Sequence, residues 1–217
     1  MNEEDLDNLL AQMKMKNGQA TIEIEKTWAV EQIIKLCDLI KKRNQKKDKN
    51  LRRKAYMIIS IILNKQMITE YCQFLVNRLG IETDKYVLSS ILDDIKDLLR
   101  SIPKEVDTDL IIECTQNDKW QIRLSAIAAL RACNTEKSRE AARYWIRKED
   151  EKTFDYEITY ANSSLGYIGE IKDIEILELH TQTRKRDIRI SAFYAIYSIK
   201  KRYGMINEKS FEEFYDS

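Results

Sequence analysis

Turn-forming residues are scarce in these 217 residues: proline occurs once, at position 103, and glycine five times. Little turn chemistry with 34% charged and 43% hydrophobic residues is the profile of a soluble helical array. The sequence also holds no Gly-rich phosphate loop, no G-x-S-x-G and no H-E-x-x-H, which removes the usual nucleotide, hydrolase and metalloprotease signatures. Histidine occurs once, at His180, and none of the four cysteines forms a C-x-x-C, so spacing supplies no zinc set and no triad. Cys37 and Cys72 read as small core thiols. The longest apolar run, about Ala55 to Leu63, falls far short of the ~20 residues that span a bilayer. Charge of one sign is missing as well: 37 basic and 36 acidic residues leave a net +1, so no global field draws the chain to nucleic acid or to an anionic membrane. The opening MNEEDLDNLL is acidic, without the basic-then-apolar layout of a secretory signal. The expectation is a cytoplasmic, non-enzymatic protein with no catalytic residues, metal, cofactor, small-molecule substrate or membrane partner.

What the sequence does have is a repeat. Ile122 to Leu130 reads IRLSAIAAL, and the same nine-position pattern recurs at Leu51 to Ile59, Tyr86 to Asp94, Glu157 to Leu165 and Ile188 to Ile196. The fifth position is Ala55, Ser90, Ala126, Ala161 and Ala192, small in every copy. The starts lie 35, 36, 35 and 31 residues apart, a period that marks stacked supersecondary units. Each unit reads as a helix, a turn, a second helix carrying the pattern, and a turn. A lone hairpin buries too little apolar surface to offset its ordering entropy, so neighbours must stack. The small fifth residue admits a close partner helix, and the apolar first, eighth and ninth positions fill the gap to the next layer. Asp93 and Asp94 break the eighth and ninth positions and Glu157 breaks the first, so those copies must shift register or bury something else.

Three segments follow. Residues 1–20 read as an N-terminal capping helix or arm closed at Asn17-Gly18, residues 21–204 as the repeat array, and residues 205–217 as an acidic aromatic tail containing FEEFYD. Asp48, Thr83 and Asp118 stand where helix caps belong, and Gly204 where a helix ends. The single proline, Pro103, separates two stacks of one array, because the period continues across it.

DKWQIRLSAIAAL, Asp118 to Leu130, resembles a HEAT repeat of the short bacterial kind, whose second helix carries an Asp, a Val/Ile–Arg pair, spaced alanines and a Leu. Ile188, Arg189, Ala192, Ala195 and Ile196 match the same pattern, and Leu51, Arg52 and Ala55 match it in part. The resemblance covers roughly residues 26–203. It implies an all-α fold, a right-handed α-α superhelix (solenoid) of about five HEAT-like hairpins, with the second helices on a concave face that binds a protein partner. The sequence departs from the family where Arg184 and Lys47 stand in place of the aspartate, and where Val87 and Ile158 replace the arginine. The Asp–Arg ladder of the family is therefore expected to be incomplete.

Arg52, Arg123 and Arg189 all occupy the second position. They read either as a ladder of ion pairs to neighbouring turns or as a basic stripe toward an acidic partner, since the guanidinium fork suits both. With Tyr160, Asn162 and Tyr194 they form the candidate partner-binding set, for an adaptor, scaffold or inhibitor. Nine of the fourteen residues from Lys41 to Lys54 are basic. Lys46, Lys47 and Arg53, with Arg184, Lys185 and Arg186 of the last unit, are candidate anion or nucleic-acid contacts. They carry the alternative reading, a nucleic-acid-binding HEAT protein; an alkylpurine DNA glycosylase of that fold would use an acid and an aromatic such as Asp118 and Trp120.

Overall fold

The computed structural model describes residues 2–12, 15, 16, 19, 20, 26–43, 45–99, 101–148, 150, 152–206 and 211–215. Asn17-Gly18 and the predicted start of the second helix, at residues 21–25, lie outside them. The described chain is helical apart from a two-residue antiparallel pairing of Met15–Lys16 with Gln19–Ala20. Among the described residues, no helix is long and apolar enough to cross a membrane. Two compact units emerge, residues 1–110 and 111–217.

In the first unit α1 (Glu3–Gln12), α2 (Lys26–Lys42), α4 (Thr69–Arg78) and α5 (Lys85–Lys96) all pack on α3 (Lys49–Lys65). The reason is the α3 sequence: Ala55, Tyr56, Ile58, Ile59, Ile62 and Leu63 are all fully buried, too wide an apolar face for one neighbour to cover. The N-terminal helix docks rather than dangles, with Leu6 and Leu9 buried and Asp7 accepting from Lys54 Nζ at 2.6 Å.

The copy in α5 has shifted register. Val87, Leu88, Ile91, Leu92 and Ile95 are buried, while Tyr86 is exposed and Ser90 half-buried. The helix has rotated by one residue, so Ile91, not the small Ser90, sits at the inward position. The apolar i, i+4 spacing of Val87, Ile91 and Ile95 outweighs the nine-position pattern. The cap is displaced too: Asp84, not Thr83, accepts from the backbone N–H groups of Tyr86 and Val87. Asp48 flanks α3 without a side-chain cap bond.

The short α6 (Asp109–Cys114) leads into the second unit. There α7 (Trp120–Ala129), α8 (Glu136–Ile146) and α11 (Arg186–Arg202) pack around α9 (Asp155–Ile168), and α10 (Ile174–His180) packs on α11. Ala126, Ala161 and Ala192 are all fully buried, as the pattern requires. Glu157 keeps its register by burying an ion pair with Arg123. Gly204, with φ +67°, ends α11 in the left-handed conformation that glycine adopts without strain. Within the tail, α12 (Phe211–Tyr215) packs on α11.

Side chains reach backbone groups about one period away within each unit. Asn64 Oδ1 accepts from Leu99 N, Gln73 Oε1 from Asp107 N, and Ile127 O from Ser164 Oγ, at separations of 35, 34 and 37 residues. Segments about one period apart are thus joined by hydrogen bonds as well as by apolar packing.

Candidate partner-binding surface

The arginines of the second position are mostly consumed by this joining. Arg52 is buried, with Nε and an Nη on the two carboxylate oxygens of Glu82 at 2.9 Å each, and its other Nη on the carbonyls of Arg43 and Gln45. Tyr56 Oη donates to Glu82, and Arg78 Nε donates to Tyr56 Oη. Burial alone would raise the Glu82 carboxyl, but the bonds from Arg52 and Tyr56 and the Arg52 charge outweigh it and hold it below its ordinary value. Arg123 is half-buried, bonded to Glu157 and to Asn117 O, with its guanidinium 5.6 Å from the Trp145 ring. Arg189, also half-buried, donates to Thr183 O at 3.0 Å. The ladder therefore runs to glutamates, Arg52 to Glu82 and Arg123 to Glu157, rather than to the aspartates of the HEAT pattern. Asp118 is exposed and contributes its carbonyl to Arg123, while Asn117 Oδ1 accepts from Lys119 N at the start of α7.

Asn162 is fully buried. Its Nδ2 donates to Ile188 O and Ser191 Oγ, and its Oδ1 lies 3.0 Å from His180 Nδ1, which fastens α9 to α10 and α11. It presents nothing to an incoming protein. Among the candidate set, Tyr160 and Tyr194 reach solvent, 42% and 40% exposed.

Tyr160 does not stand alone. Tyr156 is 65% exposed and Tyr167 49% exposed on the same helix. At 3.6 residues per turn, positions 156, 160 and 167 fall within about 40° of one another around the axis. The opposite side of α9 carries Ile158, Ala161, Leu165 and Ile168, all buried. The result is a straight outward stripe of three tyrosines, with Thr159 and Ser163 half-buried alongside. Tyr156 and Tyr167 had a signal in the sequence, the i, i+4, i+11 spacing, which the small-residue pattern masks.

The stripe rests on a fixed base. The Arg131 guanidinium lies 5.0 Å from the centroid of the Tyr167 ring. Arg202 of α11 donates to the carbonyls of Gly166, Tyr167 and Gly169, satisfying the orphan acceptors at the end of α9. Gly166 lets α11 come close: a Cβ there would stand 3.2 Å from Ala195 Cα. Gly166→Val is expected to force α9 and α11 apart and to lower stability by about 1–3 kcal/mol, read as a lower thermal midpoint. An unchanged midpoint would refute that close approach. Beside the stripe, a groove of about 320 Å³ is lined by Asp155, Tyr156, Thr159, Lys185, Arg186, Asp187 and Ile188.

The candidate anion contacts divide. Lys46, Lys47, Arg53, Arg184 and Arg186 are exposed, whereas Lys185 pairs with Asp155 at 3.1 Å. Asp155 and Asp187 share the groove with Lys185 and Arg186, so its walls carry mixed charge. Trp120 is 58% exposed at the first turn of α7.

Reactive chemistry is muted. Burial pushes the thiols of Cys37 and Cys133 up to about 12 and those of Cys72 and Cys114 to about 11, far from a thiolate nucleophile. Among the described residues no group of three His, Cys, Asp or Glu could hold a metal ion. No family model, curated protein or solved structure matches the chain.

Proposed function

We propose that this protein is a HEAT-like α-solenoid module without catalytic activity, and that it binds a protein partner through the tyrosine stripe of α9. The observation that carries the reading is the exposure of Tyr156, Tyr160 and Tyr167 in one line on a helix whose other faces are buried and bonded. Tyrosine offers a large amphipathic ring with few rotatable bonds, so it loses little conformational entropy on binding and can hydrogen-bond at its tip. Thr159 and Ser163 add small hydroxyls beside it, and the Arg131–Tyr167 pair supplies a charged edge. Tyrosines on a rigid base with polar neighbours resemble the composition of protein-binding surfaces. Mixed charge in the adjoining groove favours a protein over a polyanion, which would need an unbroken basic track.

A photo-reactive phenylalanine derivative at position 160 tests this reading in native lysate. The expected result is one discrete cross-linked protein, retained after nuclease treatment and lost when Tyr156 and Tyr167 are changed to Ala. The same probe at position 175, on α10, should not yield it. Cross-links that vanish with nuclease would move the function to nucleic acid, and a smear indifferent to the tyrosines would end the proposal.

A further inference from the structure

The tail helix α12 touches α11 through rings. Phe211 stands edge-on to Tyr194 and Tyr197, with centroids 5.5 and 5.6 Å away, and Tyr215 stands edge-on to Phe193 at 4.9 Å. A five-residue helix is far below the ~12–15 residues that hold helical structure alone in water. The rings of α11 must therefore be what orders it. Phe211, Tyr215 and Phe193 are nevertheless only half-buried and Tyr194 is 40% exposed, while Tyr197 beneath Phe211 is buried, so the contact lies at the edge of the core. Phe211 and Tyr215 are four residues apart and share one face of α12, while Glu212 is exposed. The tail is acidic, with Glu212, Glu213 and Asp216. The last turn of α11 carries Lys200, Lys201 and Arg202.

We propose that the Phe193, Tyr194 and Tyr197 face of α11 is a docking site for a short acidic helical segment with two aromatic residues four apart, borne by the protein partner. The chain's own tail is the resident occupant of this site. An incoming segment of the same chemistry takes its place, folding as it binds. The existence of a partner rests on the reading of the α9 stripe, but the docking face can be tested without that partner. A tethered tail competes at an effective concentration of about millimolar, so the intact protein resists the same peptide added in trans.

The probe is a fluorescent peptide of residues 206–217, titrated by anisotropy against full-length protein. The expected result is measurable binding to the Phe211→Ala, Tyr215→Ala double variant and at least ~10-fold weaker binding to the wild type. A peptide with both aromatic residues changed to Ala should not bind, and Tyr194→Ala in the double variant should abolish binding. Equal binding to both proteins, or none to either, overturns the inference. So does a double variant that melts far below the wild type, since the rings would then belong to the core. Concentration-dependent dimers of the wild type that disappear in the double variant would assign the site to a second copy, and would equally overturn it. If the α9 cross-link fails while the peptide binds, the partner falls and with it the proposed occupant, leaving the face as the seat of the chain's own tail; the opposite pair of results removes only this docking site.

Discussion

Arg52→Met is expected to destabilise the protein by about 3–5 kcal/mol, because it strands the Glu82 carboxylate in a buried site. Arg52 and Glu82 are 3% and 8% exposed, so neither charge has water to fall back on. The substitution also frees the carbonyls of Arg43 and Gln45, which Arg52 ties to the turn before α5. In thermal denaturation the midpoint should fall on the order of 10 °C. Arg52→Lys should rescue little, since one ammonium cannot span two carboxylate oxygens and two carbonyls in a plane. Changing both partners to Met should recover part of the loss, as apolar replacement of a whole buried pair is often tolerated. Only part returns, because Arg78 and Tyr56 also lose their Glu82 acceptor. The pH dependence has a definite sign. Folded Glu82 titrates below its ordinary 4.5, so its contribution is complete above that value and is lost as pH falls through the lower folded value. The gap between wild type and Arg52→Met should therefore be widest near neutrality and close in acid. A midpoint within about 2 °C of wild type at pH 7 would show that the cluster is not structural.

Asp94→Asn should act in the opposite direction and stabilise the protein. Asp94 is tucked along α5 with Oδ2 buried and without a hydrogen-bond partner. Burial first, and then the charges of Asp93 and Asp97, push its carboxyl up to about 7 against an opposing pull from Arg53 and Lys96. An acid raised on folding is a liability once the pH passes its unfolded value: the folded state holds a proton that the unfolded state has released. Stability therefore declines from about pH 4 to about pH 7 and stays lower above that. A shift of this size corresponds to as much as about 4 kcal/mol at pH 8, at 1.36 kcal/mol per pKa unit. Asparagine carries no charge to desolvate, so the variant should melt higher than wild type at pH 8 and nearly equal to it at pH 4. Equal midpoints at both values would place Asp94 in water.

The same residues explain how much the sequence revealed. The period, the helix pairs and the buried alanines of α3, α7, α9 and α11 follow from apolar spacing, which is local and legible. Asp93 and Asp94 flagged that the copy in α5 was irregular, but not which way it turned. That outcome depended on Val87, Ile91 and Ile95 burying more surface than a register led by Tyr86. Glu157 looked like an interruption and is the partner of Arg123, 34 residues earlier, a pairing visible only once α7 and α9 are placed side by side. The candidate surface was half legible. Tyr160 was named, whereas Tyr156 and Tyr167 share its face only because α9 is one unbroken helix through both. Asn162 reads as a surface residue by its polarity, yet His180 and the α11 backbone use its amide inside. Tyr194 could not be assigned to the tail from sequence, since nothing local ties residue 211 to residue 194.

Hydroxyl-radical footprinting with mass spectrometry measures most directly whether the tyrosines, and not the ladder, face outward. In the purified protein Tyr156, Tyr160 and Tyr167 should be oxidised readily, while Tyr56, fully buried against Glu82, should react at least ~10-fold more slowly. Comparable protection of Tyr160 and Tyr56 would contradict the account, because the face proposed to meet a partner would already be covered.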